Sequence, residues 1–366
     1  MGSRISDPVA TLYSLAVVSA IVMFVLSIPV GFYTVFFTTL STHNPPYSAQ
    51  TQYSVPFYIA LLTVRLPFDA SYGATFAVLT AVIVLFIALA AWQGGGIVKA
   101  LKATPQEGVS PLFQNPLTAT VIILGASLLL TILLDYVQTS AGVATGGISG
   151  DPLELLISFV LAPFIEEIGY RFFLIGVPLF LVLLLTRDSL RRSVKTLWRP
   201  SAAWDVDASG ARPQLEDSHK LLVVLLVALS AVVFGLAHYL SGAGWSIGKV
   251  SEAALDGVAL GYLYVRYGLH ASIIYHWATD YALNAFAFYG QAVYGVPWTN
   301  DSSYSLLPSY DILFAVGVPG LLYIAYRLWR WMLTRKSGRE VQQVATPSGD
   351  LPVQTAERLV SDRLGD

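Results

Sequence analysis

The chain has 366 residues, 55% of them hydrophobic and only 12% charged, with a net charge of −2 and a mean hydropathy of +0.62. A soluble domain carries about 25% charged residues, so this composition excludes an ordinary soluble protein, and the near-neutral charge gives no footing for nucleic acid as a partner. The chain has no cysteine, which excludes disulfides, thiolate catalysis, Cys-ligated zinc and thiol redox control.

Apolar runs of about 20 residues predict an all-α polytopic membrane protein with the lipid bilayer as its first partner. The N-terminus has only Arg4 as an n-region, and the apolar stretch after Val9 is too long for a signal peptide. Residues 9–37 therefore read as the first spanning helix, kinked at Pro29-Val30-Gly31. Val55 to Leu66 is too short to span and is interrupted by Pro56 and Arg65, so it is expected to lie at the interface or to re-enter. Further spans are expected at 72–92, 117–137, 152–186, 219–240, 250–267, 270–290 and 309–333, about eight in all. This divides the chain into an N-terminal part (1–150), a four-helix core (151–290) interrupted by a cytoplasmic loop (187–218), a last helix (291–334) and a polar tail (335–366) expected to be disordered.

The basic residues set the orientation. With the N-terminus in the cytoplasm, inside segments hold Arg4, Lys99, Lys102, the 187–220 cluster, Arg266 and the tail, while outside segments hold only Arg65 and Lys249. The positive-inside rule then places both termini in the cytoplasm of a multi-pass cell-membrane protein. Arg171 is left within the membrane.

Three polar clusters stand inside the predicted spans. In Glu166-Glu167-x-x-x-Arg171, each charge at bilayer depth costs roughly 2.5–3.5 kcal/mol, which argues for function. Glu167 and Arg171 share a helix face and can pair. Glu166 points about 100° away, where desolvation suits a general base. In Phe234-Gly-Leu-Ala-His238 the Phe ring can wall the imidazole, and Gly235 and Ala237 allow close helix approach. In His276-Trp-Ala-Thr-Asp280 an imidazole and a carboxylate share one face. Asp256 has no motif around it and reads as structural.

A Glu, two His and an Asp on three helices suit hydrolysis. Glu166, His238, His276 and Asp280 also resemble a catalytic set for zinc or another divalent metal with an open water position, and the residues leave metal-bound and metal-free water equally open. Other protease signatures are missing: H-E-x-x-H and G-x-S-x-G do not occur, and Gly150-Asp151 falls in a loop. A proton-coupled transporter is an alternative, since intramembrane carboxylates and histidines build proton relays. So is a non-catalytic scaffold or immunity protein.

These motifs, in this order, resemble those of the CAAX protease and bacteriocin-processing (CPBP, or Abi) family, which includes the type II CAAX prenyl endopeptidases. The resemblance covers roughly residues 152–290; the first three spans carry no matching motif. It implies an eight-helix intramembrane endopeptidase acting on a membrane-associated or lipidated peptide or protein. It further implies that Glu166 and His238 activate water, that Glu167 and Arg171 support them, and that His276 and Asp280 stabilise the transition state. Family members are described both as metalloproteases and as glutamate proteases. The last motif position is often Asn, and Asp280 departs from it. An ionised Asp cannot donate to an oxyanion, so Asp280 is expected to be protonated, to orient His276 or to bind a metal, which shifts weight slightly to the metal reading. The motifs converge only if the Tyr267-Gly268-Leu269 turn is recessed, or if the predicted boundaries are displaced.

Overall fold

A computed structural model describes residues 7–38, 40, 52–186, 189–204, 216–299 and 309–344. The chain divides into two units, residues 1–320 and residues 321–366. Helix α1 (Pro8–Phe37) is capped by the Asp7 side chain, which accepts from the Val9 amide at 2.9 Å, with Pro8 in the first turn and Pro29 inside the helix. Strands β1 (Gln52–Ile59) and β2 (Leu62–Ser71) form an antiparallel hairpin.

Helices α2 (Tyr72–Trp92), α3 (Ile97–Glu107) and α4 (Pro116–Ser140) follow. Helix α5 (Pro152–Glu166) continues through a π-helical stretch, Glu167–Gly176, into α6 (Val177–Leu185). Then come α7 (Leu190–Trp198), α8 (Glu216–Leu240) and α9 (Gly248–Tyr267). Helix α10 (Leu269–Trp277) passes through a second π-helical stretch, Ala278–Ala282, before α11 (Ala285–Tyr294). The last helix, α12 (Ser309–Val344), carries the boundary between the two units.

The result is an all-α polytopic membrane fold with one small hairpin. Six helical segments are long and apolar enough to cross a membrane: Pro8–Phe37, Tyr72–Trp92, Pro116–Ser140, Pro152–Leu185, His219–Leu240 and Tyr310–Leu333. The other two expected spans do not reach that standard among the described residues. Helix α9 carries Lys249, Glu252, Asp256 and Arg266 along its length, and the 270–290 stretch is broken between α10 and α11.

Three other expectations change. The interfacial segment is a hairpin, because Val55, Phe57, Tyr58, Thr63 and Val64 favour strand and Pro56 and Pro67 block a helix. The 187–218 loop contains α7, an amphipathic helix. The described part of the tail is helical to Val344, and 345–366 lie outside the described residues.

Helix α10 is buried along its whole length, as is the first half of α4. Around them, other helices turn Leu12, Leu85, Val224 and Leu225 outward, as lipid-facing surfaces require. Small residues set the closest crossings. A side chain on Gly257 would meet Ala231 Cα at 2.8 Å, and one on Gly235 would strike the Val250 carbonyl, so α8 and α9 pack at backbone distance.

Helix ends that alternation assigns to one side do meet. Tyr267 Oη donates to the Phe113 carbonyl at 2.7 Å, Tyr264 Oη to the Leu197 carbonyl at 2.8 Å, and Asn115 Nδ2 to the Gln93 carbonyl at 2.8 Å. At the other side Thr145 Oγ1 reaches both Asp135 and Glu252 at 2.8 Å, and Gly146 bridges to Trp245. The Tyr267–Gly268–Leu269 turn is buried. Gly268 sits at φ 115°, a conformation that excludes other residues, and a Cβ there would meet Trp198 Nε1 at 3.0 Å.

Candidate active site

Pro163 lacks an amide hydrogen, so the helix ladder is already one bond short as it nears the site. The chain answers with wider π turns from Glu167 to Gly176, a geometry concentrated at functional sites in helical proteins. The second π stretch holds Asp280. Both irregular turns therefore carry residues of the three motifs.

Glu167 is fully buried and lies at the centre. Its Oε2 is 3.3 Å from Arg171 Nε, also fully buried, and accepts from Ser272 Oγ. Its Oε1 is 2.9 Å from His276 Nδ1. A carboxylate with these three partners is held rather than available. Arg171 also stacks over the Phe234 ring, with its guanidinium carbon 4.3 Å from the ring centre.

Above this sealed layer lie two more open carboxylates. Side-chain exposure is 20% for Glu166 and 27% for Asp280, against 7% for His276. His276 Nε2 is 3.2 Å from Asp280 Oδ2 and 3.8 Å from Glu166 Oε2. One imidazole thus faces three carboxylates. The last distance exceeds hydrogen-bond reach, and Glu166 Oε2 has no hydrogen-bond partner among the described residues.

His238 joins by packing rather than by a polar contact. Its ring meets the Phe234 ring edge-on at 4.6 Å, and Phe234 meets His276 edge-on at 5.8 Å. His238 Nδ1 is 3.0 Å from the Phe234 carbonyl. A carbonyl only accepts, so Nδ1 carries the hydrogen and the neutral ring keeps a lone pair on Nε2.

The structure brings together Glu166, Glu167, Arg171, His276 and Asp280 directly, and His238 through Phe234. Asp280 Oδ2 lies 3.2 Å from His276 Nε2, a contact that the orienting role would use. Among the described residues no group of three or more His, Asp or Glu is disposed to hold a metal ion. The physical reason is that both His276 nitrogens are taken up by Glu167 and Asp280, while His238 stands on the far contact of the Phe234 ring.

One group escaped the sequence reading. Ser272 stands four residues before His276, and that spacing was the available signal. Asp256, expected to be structural, accepts from Ser127 Oγ and Tyr275 Oη, both at 2.7 Å, tying α4, α9 and α10 together.

Residues 148–282 match the family model described as type II CAAX prenyl endopeptidase Rce1-like. The match covers all three motifs and supports the CAAX protease family for this segment, and with it a membrane-embedded endopeptidase acting on peptide or protein substrates in general. Neither the comparison with curated proteins nor that with solved structures gives a match.

Proposed function

We propose that the chain hydrolyses a peptide bond in a membrane-associated or lipidated substrate, with Glu166 as general base. The observation that carries this reading is the contrast between neighbours: Glu167 has three close polar partners, while Glu166 Oε2 has no hydrogen bond among the described residues, only a 3.8 Å approach to His276 Nε2, on a side chain that is 20% exposed. A carboxylate in that state is ready to take a proton.

In this mechanism a water molecule sits against Glu166 and is oriented by the free Nε2 lone pair of His238. As its oxygen bonds to the substrate carbonyl carbon, its proton passes to Glu166 and the carbonyl electron pair moves onto oxygen. The Nε2–H of His276 turns from Asp280 to that oxyanion and donates to it, while Glu167 keeps Nδ1 in place. Glu166 then delivers its proton to the departing amide nitrogen as the C–N bond breaks. Arg171 offsets the charge of Glu167 without touching substrate. The net change is addition of one water across one peptide bond.

In this reading each step runs through side chains alone. The asymmetry of its basic residues supports a cell-membrane location with both termini cytoplasmic as part of this reading. The deciding experiment is cleavage of a lipidated-peptide library by the purified chain and by its Glu166→Gln variant. Undiminished cleavage by the variant removes the assignment.

A further inference from the structure

Helix α7 begins just past the end of the Pro152–Leu185 span and has three distinct faces. Ser193 and Thr196 point inward and are buried. Leu190, Val194 and Trp198, spaced four apart, form an outward apolar stripe with exposures of 63%, 50% and 39%. Arg191, Lys195 and Arg199 form the adjoining basic stripe. An apolar stripe beside a basic one is the pattern of a helix lying in a membrane interface.

Beside α7 is a cavity of about 380 Å³, walled by the end of α2, the start of α4, α7 and the end of α9. Its lining includes Lys195, Arg199 and Arg266, together with Trp198, Tyr267 and Gln93, and contains no carboxylate. Lys195 and Arg266 form no salt bridge among the described residues. The wall is firmly built. Trp198 stacks on the buried His270 at 5.4 Å with the ring planes 3° apart, and His270 Nε2 is 2.8 Å from Gln93 Oε1. Cations of one sign around a cavity repel each other, and an anion between them relieves that cost. Trp and Tyr are the residues that favour the headgroup level.

We propose that this cavity binds the phosphate of an anionic phospholipid, with its acyl chains against the Leu190–Val194–Trp198 stripe. Lys195 and Arg266 supply the charge, and Trp198 with Tyr267 frames the headgroup. A free phosphate shares the anion chemistry but has no use for the apolar stripe, which argues for the lipid. Basic pockets between spanning helices recognise phospholipid headgroups on this principle. The site is separate from the Glu166 cluster, so its occupancy is measurable whether or not the chain cleaves peptides.

The test uses the full-length chain, delipidated in a non-ionic detergent. Thermal unfolding is followed while dioctanoyl phosphatidylglycerol, dioctanoyl phosphatidylcholine or inorganic phosphate is added. A saturable rise with phosphatidylglycerol alone is expected. The Lys195→Gln/Arg266→Gln variant should bind it about 30-fold more weakly, and each single variant about 5-fold more weakly. The single variants decide the matter if the double one does not fold, and Lys195→Arg/Arg266→Lys should bind as the native chain does. An equal response to phosphatidylcholine, an equal response to inorganic phosphate, or unchanged binding by the Gln variants overturns the proposal.

Discussion

His276 and Glu167 lie 2.9 Å apart, Nδ1 to Oε1, although the sequence separates them by 109 positions. That contact joins the first motif to the last. It fixes which face of the imidazole turns toward Glu166 and Asp280, and it explains why two adjacent glutamates divide into one that is held and one that is open.

Glu166→Gln is therefore expected to lower the rate of peptide hydrolysis roughly 10²–10⁴-fold, the usual contribution of a positioned base. Its melting temperature should stay near that of the native chain, since Glu166 Oε2 makes no hydrogen bond among the described residues. Cleavage assays paired with thermal melts check both halves.

Glu167→Gln should behave in the opposite way and unfold the chain early. Removing one member of a buried ion pair leaves an uncompensated charge, at a cost of about 3–5 kcal/mol, and both Glu167 and Arg171 are fully buried. Adding Arg171→Met to Glu167→Gln should recover much of that stability. A double-mutant cycle by chemical denaturation in micelles measures the coupling, and independent, additive losses would show the pair to be uncoupled.

Phe234→Ala should cost both stability and activity. The ring touches Arg171, His238 and His276, and truncating a buried Phe costs about 3–5 kcal/mol. Phe234→Tyr, which keeps the ring body, should retain far more activity than the Ala variant at a temperature where both are folded.

Chelation supplies a fourth test. With no three of the acidic and imidazole groups disposed around one ion, prolonged treatment with EDTA followed by gel filtration should leave cleavage unchanged. Loss of activity that zinc restores would replace the glutamate mechanism with a metal one.

Gly169→Ala tests the hairpin. A Cβ at Gly169 would strike the Tyr58 carbonyl, so β1 must move away from the π-helical stretch beside Glu166. The expected destabilisation is about 1–3 kcal/mol, as for overpacking elsewhere, read from thermal melts.

The three motifs were legible because each is local. Glu167–Arg171, Phe234–His238 and His276–Asp280 are all four apart, and the structure brings each pair into contact. Six of the eight expected spans were legible from apolar runs alone. What the residues did not announce depends on tertiary surroundings. The π turns leave no composition signal, and helical spacing at 100° per residue treats Glu166 through Arg171 as regular helix. The hairpin is short enough that its apolar count resembled an interfacial segment. Helix α9 packs closely against α4 and α8 and carries four charged residues, so hydropathy alone does not mark it as a span.

The wide turns at 167–176 and 278–282 have a genetic consequence. A π turn holds more residues than an α turn, so losing one residue from either stretch lets the helix close into regular α form while the flanking segments keep their packing. Such a chain would still insert and fold, but Arg171 would rotate away from Glu167, or Asp280 away from His276. A single in-frame codon deletion is thus a direct route from an active copy of this gene to a silent one that keeps its shape.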